Sequence, residues 1–460
     1  MIRVGYFATY QQNKYSKLKL KEKKMKKKFG KIAVLFLVIV MLVGLAACGN
    51  GTDAPTSGNE TPGQGTSSGN GSTGGGTTGG GSSGNEPVET LKIGLLINVT
   101  GWFASVDLSV LYATEAFASI INEQGGWDIG GKKYMIELVV SDIQSDFGNV
   151  QAAALYLLDQ DVKFVIESID FFVASVQPLW EEHGVMHMIT TSSGNPMYGG
   201  PNHPHAFSAG ANGLWSFIPN GMRLIQENFP DVRKLIYVEN DTGDNQATWE
   251  FMNAHASTYG LEMISYANSA VYAGEATDLA TVALQVINSG ADAVITTGPA
   301  PNTAGILKEI RSLGNDMPYV ICTLTGGEVI SMIAGADYSH NSATLGYSIA
   351  PEDNTEMWNR IAAKLVETHG ENAAIDITFM GVNAMYVLLQ VMSIANSTDV
   401  NTVMDTWRSL ETIDTIFGPG NMGGLETFGL DRQWLGSPTS FCIITKGGIR
   451  YLPRIPTFIP

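Results

Sequence analysis

Between residue 91 and the C-terminus, apolar positions switch repeatedly between runs of strand length and a helical period. Lys92 to Val99 is one such run, and Val110, Leu111, Phe117, Ile120 and Ile121 then fall three or four apart. That spacing puts them on one helix face, which stops at Gly125-Gly126. Tyr134 to Val140 predicts the next strand. The rhythm continues through helix Asn149 to Leu158, strand Phe164 to Ile169, helix Val176 to His183 and strand Met186 to Thr190. Alternation of this kind predicts an α/β unit with a parallel sheet.

A Pro- and Gly-rich stretch, Asn195 to His205, interrupts the pattern. It resumes with strand Lys234 to Glu239, helix Asn245 to Tyr259, and strands at Met263 to Asn268, Ala293 to Thr297 and Tyr319 to Thr323. Helices at Glu356 to His369, Phe379 to Asn396 and Val400 to Leu410 then follow with no strand between them. Three successive helices suggest that the chain returns to cover the first unit. The roughly 370 residues involved are enough for two ordinary domains.

The first 90 residues read differently. Gly49 to Pro87 is almost wholly Gly, Ser, Thr, Asn and Pro, with nothing apolar enough to pack. It is expected to be a flexible linker with an end-to-end distance of roughly 35 Å. Before it, residues 1–47 divide into a Lys-rich stretch, an apolar run from Ile32 to Leu45, and Ala46-Ala47 ahead of Cys48. That order is a signal peptide, and its apolar run is shorter than the roughly 20 residues a lasting transmembrane helix needs. Met25, which opens Lys26-Lys27-Lys28, is a candidate for the true start. Leu45-Ala46-Ala47-Cys48 resembles the bacterial lipoprotein box, which implies cleavage before Cys48 and a lipid on its thiol. Two or three acyl chains anchor stably where one does not.

Charge supports a tether of that kind. The chain has 27 basic and 44 acidic side chains, −17 overall. Eleven of the basic residues but only one acid precede Cys48, leaving 16 basic against 43 acidic residues beyond it. So acidic a protein has no footprint for nucleic acid and is repelled by anionic headgroups, so the only expected link to a membrane is the lipid. The two remaining cysteines, Cys322 and Cys442, sit in apolar runs and read as buried thiols.

Catalytic and cofactor motifs do not survive their context. Two matches to G-x-S-x-G, at 65–69 and 80–84, lie in the linker, where no strand and helix can frame a nucleophile. Gly418-Pro419-Gly420-Asn421-Met422-Gly423 fits the dinucleotide pattern but opens no helix, and reads as a Gly-rich loop. His203-Pro204-His205 lacks further metal ligands nearby in sequence. The sequence also contains no Walker A, HExxH or CxxC pattern. No enzyme activity, metal or other cofactor is expected.

Several segments, in order, are similar to one family. Lys92-Ile93-Gly94-Leu95-Leu96 with Thr100-Gly101, Ile121-Asn122 with Gly125-Gly126 and Gly130, and Ser141-Asp142-Ile143-Gln144-Ser145-Asp146 carry the likeness. So do Ser175-Val176-Gln177-Pro178 and Met188-Ile189-Thr190. From about Leu91 onward the chain resembles the type I periplasmic binding proteins, in particular the branched-chain amino acid (Leu/Ile/Val) receptors of ABC importers. The resemblance implies two Rossmann-like α/β lobes with parallel sheets, joined by three crossover segments and closing on a ligand. Those crossovers are expected near Phe207, Gly346 and Phe417. The lobes then comprise residues 88–207 with 347–417, and 208–346 with 418–460. The implied protein is a monomer that hands a small organic ligand to an ABC permease, or a sensor of the same fold feeding a signalling membrane protein.

The resemblance also places the ligand. The family's carboxylate-binding segments correspond to Asp170-Phe171-Phe172-Val173 and to Thr191-Ser192-Ser193-Gly194. Ser192, Ser193 and Gly194 keep hydroxyls and a glycine, although a Ser-rich helix cap would look the same. Phe171 and Phe172 depart from the family's small hydroxylic residues. If they end a strand, at most one of them faces a cleft. With Trp102 and Phe103 they suggest a wall for an aromatic or branched apolar ligand, the alternative being ordinary core. The second lobe's positions fall near Thr242, Pro299 and Leu324, none of them acidic. An ammonium would then lack a partner unless Asp170 or Glu328 supplies one, which leaves a carboxylate with a ring, or a neutral amide, as alternatives to an amino acid.

Overall fold

The computed structural model describes residues 88–192, 194–241, 245–273, 278–323, 325–346, 354–370 and 379–459. Cys48, the linker, Ser193, Thr242 and Leu324 lie outside the described residues. Among the described residues, no helix is long and apolar enough to cross a membrane.

The first of two sheets is built on β1 (Glu89–Ile97), β3 (Lys132–Asp142), β4 (Phe164–Ile169), β5 (Met186–Ser192) and β6 (Ala206–Asn212), with β2 (Trp127–Ile129) at its edge. The strands from β1 to β6 run parallel in the order β6-β5-β4-β1-β3, and only β2 pairs antiparallel. Buried β1 residues point alternately to two clusters: Ile93, Leu95 and Ile97 join Phe117 and Ile121 of helix Ala104–Glu123, while Leu96 joins Ala154 and Leu157 of helix Val150–Asp159. A strand covered on both faces has no polar side, which is why it reads as a continuous apolar run.

The second sheet contains β7 (Lys234–Asn240), β8 (Glu262–Met263), β9 (Ala270–Tyr272), β10 (Ala293–Thr296), β11 (Tyr319–Ile321) and β12 (Ser342–Gly346). Its path is closed by the antiparallel β16 (Ser440–Thr445) and β17 (Gly448–Tyr451). The single strand expected from 263 to 268 is broken into β8, a tight turn at Tyr266–Asn268, and β9. The Trp249 indole N–H donates to the Ile264 carbonyl at 2.9 Å, taking an acceptor that a continuing ladder would have used.

The three late helices, Glu356–His369, Phe379–Ala395 and Val400–Ser409, occur as expected. They return to the first sheet: the Trp127 indole donates to Leu389 O at 3.0 Å, and the Asn383 amide donates to Ala209 O at 2.5 Å. The changes of sheet differ from the expected positions. β6 still belongs to the first sheet, so the chain leaves it after Asn212 rather than near Phe207. β13 (Thr412–Thr415), β14 (Gly418–Gly423) and β15 (Trp434–Gly436) extend that same sheet beyond β6. The last change of sheet therefore falls between Gly436 and Ser440, not near Phe417. The Gly-rich segment 418–423 is no loop, because it pairs antiparallel with both β13 and β15. Cys322 and Cys442 are buried and free of any disulfide.

Candidate functional site

Register aligns the ends of the first sheet. Ile97 lies opposite Asp142, Ile169 opposite Thr191, and Ser192 opposite Asn212, so the loops after five parallel strands emerge side by side. Ligands of open α/β sheets bind at this carboxyl edge.

Two carboxylates fix the loop after β1. Asp142 accepts hydrogen bonds from the Val99 N–H (2.8 Å), the Thr100 N–H (3.2 Å), the Thr100 hydroxyl (2.7 Å) and the Gln144 N–H (2.8 Å). Burial alone would raise its pKa, but the Thr100 hydroxyl and the backbone donors outweigh it and hold the acid below its ordinary range. Asp107, in the first turn of helix Ala104–Glu123, accepts from the Asn98 N–H and side-chain amide (both 2.7 Å) and from Ser168 Oγ (2.6 Å). There burial dominates, and the pKa is pushed up to about 6 despite those donors.

The turn after β3 locks onto the same loop. Gln144 and Ser145 adopt left-handed backbone, at φ 63° and 54°, which costs free energy in residues other than glycine. Their compensation is local: Ser145 N–H donates to Asn98 Oδ1 (2.8 Å), its hydroxyl to Thr100 O (2.9 Å), and Phe103 N–H donates to Ser145 Oγ (3.0 Å). Gly101, at φ 89°, passes so close that a Cβ would sit 2.5 Å from Ser145 Oγ.

This scaffold presents aromatic rings. Trp102 and Phe103 follow the clasped loop, Phe147 follows the β3 turn, and Phe171 and Phe172 follow β4. Phe103 contacts Phe171 and Phe172 edge-on at 6.0 and 5.4 Å, Trp102 lies 5.6 Å from Phe172, and Phe147 stacks on Phe172 at 4.8 Å. Phe172 is fully buried at the centre, whereas Trp102 is 66% and Phe147 58% exposed. The expectation that strand alternation sends Phe171 and Phe172 to opposite sides does not apply, because β4 ends at Ile169 and Asp170–Val173 is a helical turn. Both rings consequently reach one cluster. Phe147 was missed by the sequence reading; its distance along the chain from the other rings is removed only by the β1–β3 register.

Beside the rings, the buried Asp170 carboxylate accepts from Ser192 Oγ at 2.9 Å, and that oxygen accepts from Gly194 N–H at 3.0 Å. Ser192 and Gly194 are thus engaged with one another and with Asp170. Gly194, at φ 88°, abuts the first change of sheet, since a Cβ there would lie 2.7 Å from Asn212 Oδ1.

Among the described residues at the second sheet's edge, hydroxyls meet an acid that sequence reasoning overlooked. Glu239, buried near the end of β7, accepts from the Asn240 N–H at 2.9 Å and from the Thr297 hydroxyl, which is 3.5 Å from the Tyr237 hydroxyl. Burial first, then the nearby Glu239 charge, pushes the Tyr272 hydroxyl upward; for Tyr319 the order is burial, Tyr272, then Glu239. Pro299, exposed, precedes helix Ala300–Ser312. Glu328 is likewise exposed, in the first turn of helix Gly327–Ala334. Sequence reasoning looked for acids in the loops after the strands and so passed over Glu239, which lies within β7. His205 faces Glu181 at 3.7 Å, and among the described residues no group of three or more His, Cys, Asp or Glu side chains gathers to hold a metal.

Comparison with known proteins agrees with this fold. Solved structures of similar fold include the leucine binding protein of Thermotoga maritima, with 17% identity and a TM-score of 0.63, covering 80% of this chain and 99% of that one. The branched-chain amino acid transporter substrate binding protein of Streptococcus pneumoniae, solved with isoleucine, has 14% identity and a TM-score of 0.64, covering 81% and 100%. A Rhodopseudomonas palustris ABC transporter solute binding protein in complex with benzoate has 12% identity and a TM-score of 0.63, covering 81% and 98%. At such identities these likenesses establish the fold. Among curated proteins, none matches the chain. The sequence pattern described as periplasmic binding protein matches residues 90–432, about three quarters of the chain. With two α/β sheets whose strand ends carry the ring cluster and the buried acids, the chain belongs to the periplasmic binding protein family, in its type I form.

Proposed function

We propose that the protein is a lipid-anchored solute receptor on the outer face of the cell membrane, delivering a small organic molecule to an ABC permease. The observation that carries this reading is the five-ring cluster, with Trp102 and Phe147 exposed, at the carboxyl edge of the first sheet. Exposed rings that cluster at a ligand edge favour a solute with an aromatic or branched apolar body, such as an amino acid or a related small acid or amide. The structural relatives named above were solved with isoleucine and with benzoate, which span that range. Trp102, Phe103 and Phe171 supply the apolar wall, backed by the buried Phe172. Asp170, Ser192 and Gly194 border it, and Pro299 belongs to the opposing edge. Ser193, Thr242 and Leu324 complete the proposed set on sequence grounds alone. A thermal-shift screen of the full chain in detergent against amino acids, amides and aromatic acids tests the reading. A ligand-dependent rise without turnover supports it, and turnover of a bound compound contradicts it.

The anchor has its own test. Cys48→Ala is expected to move the protein from the membrane fraction to the medium, and unchanged membrane retention would count against a lipid at that residue.

A further inference from the structure

β5 and β6 end side by side. Ser192 pairs with Asn212 across them, and partners in a parallel pair present their side chains to one face. On that face the Ser192 hydroxyl donates to Asp170, which follows β4, so Ser192 stands between Asp170 and Asn212 in the order of the strands. Asn212 is 1% exposed. Its Oδ1 accepts the Trp215 N–H at 2.9 Å and opens the π-helical turn Gly213–Phe217, which leads the chain out of the first sheet. That bond fixes the amide, since turning it over would set its NH2 group against another N–H. Nδ2 is left on the other side of the amide, buried and with no hydrogen-bond partner among the described residues.

Trp215 carries a second donor of this kind. It packs against the buried cluster that holds Phe172, as Phe103 and Phe171 do. Its ring also meets Phe251 edge-on at 4.8 Å and His255 at 5.7 Å. Those two residues belong to helix Asn245–Ala256, which follows β7 of the second sheet, so the indole lies where the two lobes meet. Its Nε1 is buried and likewise has no partner among the described residues. A buried N–H left unpaired costs free energy, and native folds answer nearly all of them with protein, water or ligand. Here two stand three residues apart at the carboxyl edge, on a π-helical turn, a geometry that recurs at functional sites.

We propose, resting on the receptor reading above, that Asn212 and Trp215 are ligand-binding residues. The Asn212 amide and the Trp215 indole donate to an oxygen acceptor of the solute, a carboxylate or an amide carbonyl, whose apolar body lies against the rings. An ammonium does not suit this place: the indole has no acceptor, and Asn212 Oδ1 is already engaged by the Trp215 N–H. Carboxylate and carbonyl share the chemistry that both donors require, and the test carries one of each.

The test uses the full chain in detergent and three probes that share a ring, benzoate, benzamide and benzylamine, followed by calorimetry. Benzoate or benzamide is expected to bind at least about tenfold tighter than benzylamine, which has no oxygen acceptor. Trp215→Phe keeps a ring and removes the N–H, and is expected to weaken the acid or amide by about tenfold while sparing benzylamine. Asn212→Asp keeps an oxygen for the Trp215 N–H but puts a carboxylate oxygen where the donor was. Benzoate binding is expected to fall by at least about tenfold, and benzylamine binding to hold or tighten. If Asn212→Asp fails to fold, Trp215→Phe still decides. Unchanged affinity in one folded variant strikes that residue from the site. Unchanged affinity in both, as follows if water alone answers the donors, overturns the assignment and leaves the receptor reading intact, as does equal or tighter binding of benzylamine by the wild type. If the three probes are silent but leucine or another member of the wider screen binds, the same variants are measured with it: a loss of about tenfold supports the assignment, and unchanged affinity overturns it. Silence from the probes and the wider screen together contradicts both readings.

Discussion

The carboxyl edges of the two sheets occupy equivalent places in the same kind of unit yet are built from opposite materials. The first is a cluster of rings held on a loop that Asp142, Asp107 and Ser145 clasp through backbone donors. The second sets the buried Glu239 against the Thr297 hydroxyl, which lies 3.5 Å from that of Tyr237. Repetition of a fold fixes where a site lies, while its chemistry is chosen separately in each half.

The largest expected effect breaks the first edge at its centre. Phe172→Ala removes a fully buried ring that contacts Trp102, Phe103, Phe147 and Phe171, and should cost about 3–5 kcal/mol of stability by denaturant unfolding. A loss under about 1 kcal/mol would mean the cluster is loose rather than a packed wall.

Next is the pH response of Asp107. Its folded pKa is raised from 3.8 to about 6, so its favourable contribution is complete below about pH 4 and lost as pH rises through about 6. Ionising it in the fold should cost about 2–3 kcal/mol by neutral pH. Asp107→Asn removes that titration, so the variant should gain on the wild type between pH 4 and pH 7. Parallel stability curves would contradict the burial of this charge.

On the second edge, Glu239→Ala strands the Asn240 N–H and the Thr297 hydroxyl, and should destabilise by about 1–3 kcal/mol. If stability holds but solute affinity collapses, Glu239 meets the ligand directly, which would sharpen the contrast between the edges. The smallest expected change in stability is at exposed Trp102, where Ala should cost about 0.5 kcal/mol or less while lowering affinity.

The strands and helices were legible in the sequence because apolar runs and helical spacing carry the folding signal directly. Thus Phe164–Ile169 and Glu356–His369 were bounded correctly from pattern alone. Gly418–Gly423 was not, since a strand of Gly, Pro and Asn has no apolar alternation, and only its partners β13 and β15 make it one. Within the site, Trp102, Phe103, Phe171 and Phe172 stood out as adjacent rings near strand ends. Phe147 and Glu239 did not, because tertiary register rather than local sequence brings them to the edge. The helical turn at Asp170 was hidden for a related reason: Asp-Phe-Phe-Val has no helical pattern long enough to read.

The central claim, that this edge of the first sheet receives a small solute, is tested most directly by running wild type and Trp102→Ala through one thermal-shift library. The prediction is a solute that stabilises the wild type, by about 2.7 kcal/mol at a hundredfold excess over Kd, and stabilises the variant clearly less. Equal stabilisation of both proteins would place the ligand elsewhere, and no stabilisation of either would contradict a receptor.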